Sequence, residues 1–223
     1  LIVYVEEDEI PYLDQDFEFT HPGVYYAMED LENMKAKKDE EGSIYYEGYQ
    51  QLSGSKFARK DYTPRPQTLL DIGPYNNPNK GGTQYTEDMM AVHHNALMWY
   101  FTGDKEHAAK AIEILNAWTE SLETVNQSND IKLRIALMGV EMINGAEILK
   151  NIYNQDPTVT EEEKWQQKDI EAFETFLKEK IIPNATFHPQ ANGNWDALIG
   201  AFNMAAAVYL EDVDMFNMCL TQY

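Results

Sequence analysis

Apolar residues along this chain fall into two kinds of segment that alternate. Segments 88–101, 131–149 and 195–210 are apolar on nearly every side, whereas segments 104–122 and 160–182 carry apolar residues on one face only. A helix that is apolar all round is surrounded by protein, while an amphipathic helix exposes one face to water. The alternation therefore predicts buried inner helices, each followed by an outer helix that covers it.

Successive helical hairpins of this kind predict an all-α fold, an α/α toroid with an inner and an outer ring of helices. An α-solenoid also stacks helical hairpins, but no fixed-period repeat is visible in the sequence, so the toroid is favoured. The small number of hairpins predicts an incomplete barrel and a chain that is part of a larger protein. We interpret residues 1–223 as a single domain, in which residues 1–19 form an extended lead-in.

The N-terminal part holds two more predicted helices and a long irregular segment. The apolar face of the first helix consists of Val24, Met28, Leu31 and Met34. The second helix is rich in tyrosine and runs from Ile44 to about Phe57. Residues 58–83 contain four prolines and three glycines, so they cannot form one regular element. Loops of this length in compact domains are usually functional or disordered.

The charge of the chain is strongly negative, which excludes some classes of partner. The formal net charge is -21 at pH 7, from 17 Lys and Arg against 38 Asp and Glu. Nucleic acids and anionic membranes bind cationic surfaces, so neither is an expected partner. The same charge repels a polyanion at long range, so a polyanionic substrate requires local cations. No apolar run is long enough to span a membrane.

The sequence "NGNW" lies at the start of a predicted inner helix. The free N–H groups of a helix N-terminus favour negative charge. The Asn194 amide can therefore hold a carboxylate there, and Trp195 can stack on a sugar ring. The alternative is ordinary capping by Asn192 or Asn194, with Trp195 in the core.

Histidines provide a second group of candidates. His93 and His94 are adjacent in a predicted inner helix, so their side chains point about 100° apart. They cannot ligate one metal together, and neither has a histidine four residues away. Each is a candidate general base or sugar contact, and so is His188. The alternative for each is a hydrogen-bonded core histidine.

Basic residues are few, and two places concentrate them. The 58–83 segment and its surroundings combine cations with tyrosines, among which Arg65 and Tyr85 are candidate substrate contacts. The alternative is a solvated loop. Arg134 lies within an otherwise apolar helix and requires a partner, either Glu141 or an anionic ligand.

Four stretches of the sequence together resemble a known family. They are "THPGVYYAMEDLENMKAK", "PNKGGTQYTEDMMAVHHNALMWYFTGDKEHAAKAIEILNAW", "GAEILK" and "PQANGNWDALIGAFNMAAAVYLED". They are similar to the alginate-lyase-like polysaccharide lyases, particularly the branch of glucuronan and alginate lyases. The resemblance runs from about residue 20 to the end, and it implies an α/α toroid that cleaves a 1,4-linked uronate polysaccharide by β-elimination.

The resemblance also implies a set of catalytic roles. The C5 proton of a uronate becomes acidic only when the neighbouring carboxylate is neutralised by an amide, an Arg or a protonated group. A His or Tyr base then takes that proton, a Tyr acid protonates the leaving oxygen, and no metal or other cofactor is required. Asn194 matches the neutraliser best and Asn192 second, and Trp195 shapes the subsite. His93, His94 and His188 are matched to the base or to substrate contact.

One family feature is missing from these 223 residues. Family members carry a later Glu-Ser-x-Arg-Asp-Gln-x-His-like segment near a tyrosine, and nothing in this sequence matches it. We therefore expect part of the catalytic set, including an Arg and the acid–base pair, to lie outside the sequence.

Two other functions fit the residues. A glycoside hydrolase on the same fold needs paired carboxylates, for which Asp88 and Asp196 are the candidates. A sugar-binding helical module needs no catalytic residues. The sequence "LIVYVEEDEI" lacks the features of a signal peptide, but a removed signal leaves no trace. A lyase of polymers is expected to be secreted or periplasmic.

Overall fold

The structure is a computed structural model that describes residues 12–126, 130–186 and 193–221. Its helices are α1 (Met28–Lys37), α2 (Ile44–Ser53), α3 (Gly82–Thr102), α4 (Lys105–Ser121), α5 (Ile131–Asn151), α6 (Gln167–Phe176), α7 (Asn194–Leu210) and α8 (Val213–Thr221). Its strands are β1 (Leu69–Ile72), β2 (Asn79–Lys80) and β3 (Thr124–Val125). The strands are short, so the prediction of an all-α fold is confirmed.

Helices α3 and α5 lie side by side in the inner layer and run parallel. Arg134, near the start of α5, contacts Thr86 near the start of α3. Seven residues further along both helices, Glu141 contacts His93. The contacts advance in the same direction along both helices, as expected for neighbouring inner helices of a toroid.

Helix α7 packs on the other side of α5 in the same direction. Gly139 packs against the ring of Phe202, and further along both helices Lys150 lies over the ring of Tyr209 at 4.8 Å. A Cβ at position 139 would lie 2.5 Å from Cε2 of Phe202, so the close approach of the two helices depends on glycine. The segments that are apolar on every side are therefore the inner helices.

Helix α4 returns antiparallel to α3 and covers it from outside. Trp118, late in α4, donates to Asp88 early in α3, while His107, early in α4, contacts Asn95 further along α3. The buried side chains of α4 are His107, Ala108, Ala111, Ile114, Leu115 and Trp118. Helix α6 packs in turn against α4. Inner helices covered by outer helices confirm the predicted α/α toroid.

Residues 20–27 form an irregular segment, called the strap below, that lies along α5. The backbone N–H groups of Gly23 and Tyr25 donate to side chains of α5. These contacts hold the strap out of helical geometry, so α1 begins at Met28 rather than near Val24. Residues 12–19 also lack regular structure and pack on α8, where Leu13 N–H donates to Asn217 Oδ1.

Helix α6 begins later than its amphipathic pattern indicates. Thr160 N–H donates to Glu163 Oε2 at 2.8 Å, the backbone half of a capping box. The backbone N–H and carbonyl of Trp165 both bond to the side-chain amide of Asn154, which holds the chain in a turn. The regular helix therefore begins only at Gln167.

The irregular segment 58–83 contains β1 and β2, which form a small sheet with β3. The strand order is β2-β1-β3, with β1 antiparallel to β2 and parallel to β3. This sheet is not predictable from the sequence pattern, because strands of two to four residues are too short to show alternation.

One buried apolar cluster extends from Leu31 in α1 to Met215 in α8. In the ranges that the structure describes, no helix is both long and apolar enough to cross a membrane.

Candidate functional site

A cavity of about 430 Å³ lies between the α1–α2 hairpin, the strap and α3. Its polar end is formed by Tyr25, Tyr26, His93, His94 and Glu141. The rest of the lining consists of Met34, Lys38, Ile44, Tyr45, Gly48, Tyr49, Leu52, Leu97 and Phe101. A concave site with aromatic walls and a few convergent polar groups is typical of a ligand pocket.

His93 lies at the centre of the polar end and is bonded through both ring nitrogens. Its Nδ1 lies 2.6 Å from Oε2 of Glu141, and its Nε2 lies 3.3 Å from the Tyr26 hydroxyl. Burial acts to raise the pKa of Glu141, but the hydrogen bond from His93 opposes it and lowers the pKa. The pKa of Glu141 is therefore lowered, and the group is a carboxylate. A carboxylate only accepts, so Nδ1 is the donor in this contact, and in a neutral His93 the other nitrogen, Nε2, is left to accept from Tyr26.

His94 faces a different environment one residue further along α3. Its Nδ1 forms a hydrogen bond with the Ser55 hydroxyl at 3.1 Å. Burial lowers the pKa of His94 to about 4. His94 is therefore neutral at physiological pH and suits a hydrogen-bonding role.

The strap brings two tyrosines to the cavity. Burial and the charge of Glu141 raise the pKa of both Tyr25 and Tyr26, so both hydroxyls keep their protons at neutral pH. Neither residue was predicted from the sequence. The available signal was the pair "YY" within the first stretch that resembles the family.

A hydrogen bond between His21 and the buried Glu147 fixes the strap on α5. Glu147 is 1% exposed and accepts from His21 Nδ1 at 2.5 Å, from Gly23 N–H at 3.2 Å and from Asn151 Nδ2 at 2.8 Å. Asn144, one turn earlier on α5, accepts from Tyr25 N–H at 2.9 Å. Two side chains of α5 thus set the position of both site tyrosines.

Arg134 lies on the same face of α5 as Glu141, two turns earlier. The two residues are therefore about 10 Å apart along the helix axis. The guanidinium donates to Thr86 Oγ1 at 2.6 Å and to Asn76 Oδ1 at 3.0 Å. Of the two partners expected for Arg134, Glu141 is excluded, because Glu141 is turned toward His93. No ion pair joins Arg134 to a carboxylate among the described residues, so its charge is available to an anionic ligand.

Asn194 and Trp195 open α7, as the sequence analysis expected. The cap position is taken by Gly193, whose φ of 66° favours glycine and which has no capping side chain. Asn194 is therefore not the cap; its side chain is exposed, and Trp195 is half-buried. Asn192 and His188 lie outside the residues that the structure describes.

The helix register sets Asn194 apart from the histidines. Phe202 lies opposite Gly139, so Asn194, eight residues before Phe202, is level with the start of α5. That is ten residues, or about 15 Å along the helix axis, from the level of Glu141. Asn194 is thus closer to the level of Arg134 than to that of His93.

Two other predicted substrate contacts lie away from the cavity lining. Tyr85 is completely buried and packs edge-on against Trp118 with ring centroids 5.4 Å apart. The prediction that Tyr85 contacts substrate is therefore wrong, because no polymer reaches it in this fold. Arg65 is exposed, but its guanidinium already forms an ion pair with Glu87.

Asp88 is a structural residue. It is completely buried and accepts from Tyr62 Oη at 2.6 Å, from Arg65 N–H at 2.7 Å and from Trp118 Nε1 at 2.7 Å. A carboxylate occupied by three protein donors cannot flank a glycosidic bond. The pairing of Asp88 with Asp196 as hydrolase carboxylates is therefore wrong.

Comparisons with known proteins agree with the fold. The family model described as Alginate lyase matches residues 24–223. The crystal structure of alginate lyase A1-III from Sphingomonas species A1 superposes with a TM-score of 0.61 at 14% sequence identity. The superposition covers 87% of this chain and 57% of that chain, so this chain spans little more than half of that protein's length. A comparison with curated proteins gave no match. Because the family model matches nearly the whole sequence, the chain belongs to the alginate lyase family.

Proposed function

We propose that this protein is a polysaccharide lyase that cleaves a 1,4-linked uronate polysaccharide, of the alginate or glucuronan type, by β-elimination. The observation that carries the proposal is His93 at the polar end of the cavity, held by Glu141 on one side and facing Tyr26 on the other. A base and an acid within hydrogen-bond distance are what this elimination requires. The proposal thus assigns both groups to residues within the sequence, in place of the acid–base pair that we had expected outside it. Membership of the alginate lyase family supports the same reaction class.

The elimination assigns a task to each group. Nε2 of His93 takes the proton from C5 of the uronate, and the electrons of that bond form the C4–C5 double bond. The C4–O bond breaks, and Tyr26 Oη donates its proton to the leaving oxygen. The Tyr26 phenolate then recovers a proton from the His93 imidazolium, 3.3 Å away, which restores both groups. The raised pKa of Tyr26 suits the acid role, because the hydroxyl stays protonated until the leaving oxygen takes the proton.

Anion binding is divided between the cavity and the start of the inner helices. Tyr25 Oη and Lys38 Nζ are among the donors that line the cavity and are candidates to bind the reacting carboxylate, for which Lys38 would have to leave its ion pair with Asp39. Arg134, about 10 Å away along the helix axis, suits the carboxylate of a neighbouring sugar. Asn194 is a further candidate neutraliser, but this role places the reacting sugar near the start of α7 rather than beside His93.

Incubation of the full-length protein with alginate, glucuronan and other uronate polymers tests the reaction. The product carries a conjugated double bond, and its ultraviolet absorbance rises with turnover. His93→Gln is expected to lower kcat at least about 100-fold, because general acid–base catalysis contributes ~10²–10⁴. Absence of an unsaturated product with every uronate refutes the proposal. Release of sugars without the double bond indicates a hydrolase, and binding without turnover indicates a sugar-binding module.

Variants at Arg134 and Asn194 test which of these residues binds a substrate carboxylate, and whether Asn194 binds that of the reacting sugar. Arg134→Gln is expected to raise KM with little change in kcat, because Arg134 would bind the substrate equally in the ground state and in the transition state. Lys132→Gln on the same helix removes the same charge and serves as its control. Asn194→Ala abolishes turnover if Asn194 neutralises the reacting carboxylate, whereas near-normal activity excludes that role.

The secreted or periplasmic location expected from the sequence stays a prediction. Enzyme assays on fractions of the producing cell would test it.

A further inference from the structure

Glu141 contacts His93 but has no assigned chemical step of its own. Its carboxylate lies 2.6 Å from Nδ1 of His93, and its side chain is 23% exposed while that of His93 is 6% exposed. It is the one carboxylate among the described residues that line the cavity. An acidic group in a site for an acidic sugar is unfavourable for binding, so its presence calls for a compensating role.

We propose that Glu141 is a positioning residue that holds His93 in the tautomer with Nδ1 protonated and Nε2 open to accept a proton. A neutral imidazole carries one proton, and the hydrogen bond at one nitrogen decides which nitrogen is left as the acceptor. The carboxylate of Glu141 can only accept, so it keeps the proton on Nδ1. The Tyr26 hydroxyl at 3.3 Å from Nε2 is compatible with this tautomer, because it can donate to the free lone pair.

Glu141 also acts on the charge that forms during the reaction. When Nε2 takes the C5 proton, His93 becomes a cation beside the carboxylate of Glu141, which stabilises that cation at short distance. The neighbouring His94 is neutral and bonded to Ser55, so it does not compete for Glu141 as a cation. The cost of an acidic group in the cavity is thus offset by a more stable imidazolium.

The proposal rests on the lyase function only for its kinetic consequence, since the tautomer belongs to the resting protein. The variant Glu141→Gln keeps the size of the side chain but offers both a donor and an acceptor to Nδ1. It therefore permits both tautomers of His93 and removes the counter-charge. Glu113→Gln on α4 is the matched control, because Glu113 is an exposed carboxylate paired with Lys110.

Nitrogen-15 NMR of the histidine rings measures the tautomer directly, and a His93→Gln sample assigns the His93 signals. The expected result is a protonated Nδ1 and an unprotonated Nε2 in the wild-type protein, and a mixture or the opposite tautomer in Glu141→Gln. A wild-type His93 protonated on Nε2, or an unchanged spectrum in Glu141→Gln, overturns the proposal whether or not the protein is a lyase.

Kinetics on a cleaved uronate polymer give the second readout. Glu141→Gln is expected to lower kcat about 100-fold, at the lower end of what general acid–base catalysis contributes, with KM changed less than about threefold. Glu113→Gln is expected to leave both constants unchanged. Wild-type kcat in Glu141→Gln contradicts the proposal. A tautomer that changes as expected in a protein that cleaves no uronate supports the positioning role of Glu141 and refutes the lyase function.

Discussion

The contact between α5 and α7 can be tested by adding one methyl group. Gly139 faces the ring of Phe202, and a Cβ at this position would lie 2.5 Å from Cε2 and 2.6 Å from Cδ2 of that ring. Phe202 is completely buried, so its ring cannot turn out into solvent. The variant Gly139→Ala therefore forces the two inner helices apart or displaces the ring.

The size of the effect follows from two opposing contributions. Overpacking a core costs about 1–3 kcal/mol, and the upper end applies where a ring is held on all sides. Replacing glycine by alanine within a helix returns about 1 kcal/mol of helix propensity. Gly139→Ala is thus expected to lower the free energy of unfolding by about 2 kcal/mol. For a domain of this size, that lowers Tm by roughly 4–8 °C.

Urea unfolding and thermal melts measure this effect against a matched control. Gly48→Ala lies within exposed helix α2, where a Cβ meets no atom within 4 Å. It is expected to raise the free energy of unfolding by up to about 1 kcal/mol. In a Phe202→Leu background, the cost of Gly139→Ala should shrink because the smaller side chain leaves room. If Gly139→Ala is as stable as Gly48→Ala, the inferred close packing of α5 and α7 is incorrect.

Three further predictions concern titratable groups. Asp88→Asn places an amide NH2 group against the groups that donate hydrogen bonds to Asp88. The variant should therefore lower the free energy of unfolding, measured in urea, by about 2–4 kcal/mol. An unchanged value would contradict the structural role of Asp88. The hydrogen bond to Glu147 raises the pKa of His21 above 6.5, so its stabilisation is complete below pH 6.5 and is lost as the pH rises through the folded pKa. Wild-type stability should therefore fall more steeply above that pH than that of His21→Gln, and parallel curves would rule this out. The ring signals of His94 should titrate near pH 4 in NMR spectra, because burial lowers its pKa, and a midpoint near 6.5 would show that its ring is solvated.

The layering of helices was predictable from the sequence because the burial of a helix determines how many of its faces are apolar. Segments 131–149 and 195–210 are apolar on every side, and in the structure they correspond to inner helices α5 and α7. Segment 104–122 has one apolar face, and it became the outer helix α4. Helix limits were less predictable where side chains far along the chain intervene. Asn154 holds Trp165 in a turn, so α6 begins at Gln167 although the amphipathic pattern starts earlier.

The candidate site depended on contacts that no local pattern contains. His93 was a candidate from the sequence, but its partners Glu141 and Tyr26 are 48 and 67 residues away along the chain. Glu141 was one of two partners expected for Arg134, the other being an anionic ligand, yet the two side chains are two turns apart and make separate contacts with α3.

The sequence by itself determined the class of fold, the order of inner and outer helices, and the family. The fold class and the order of helices follow from the pattern of apolar residues, and the family follows from local motifs. Patterns and motifs of this kind are both properties of short segments. Only the tertiary structure decided which polar groups meet, because that depends on how far one inner helix is shifted along the next. The register of α5 against α3 brings Glu141 to His93, and the register of α7 against α5 places Asn194 near the level of Arg134.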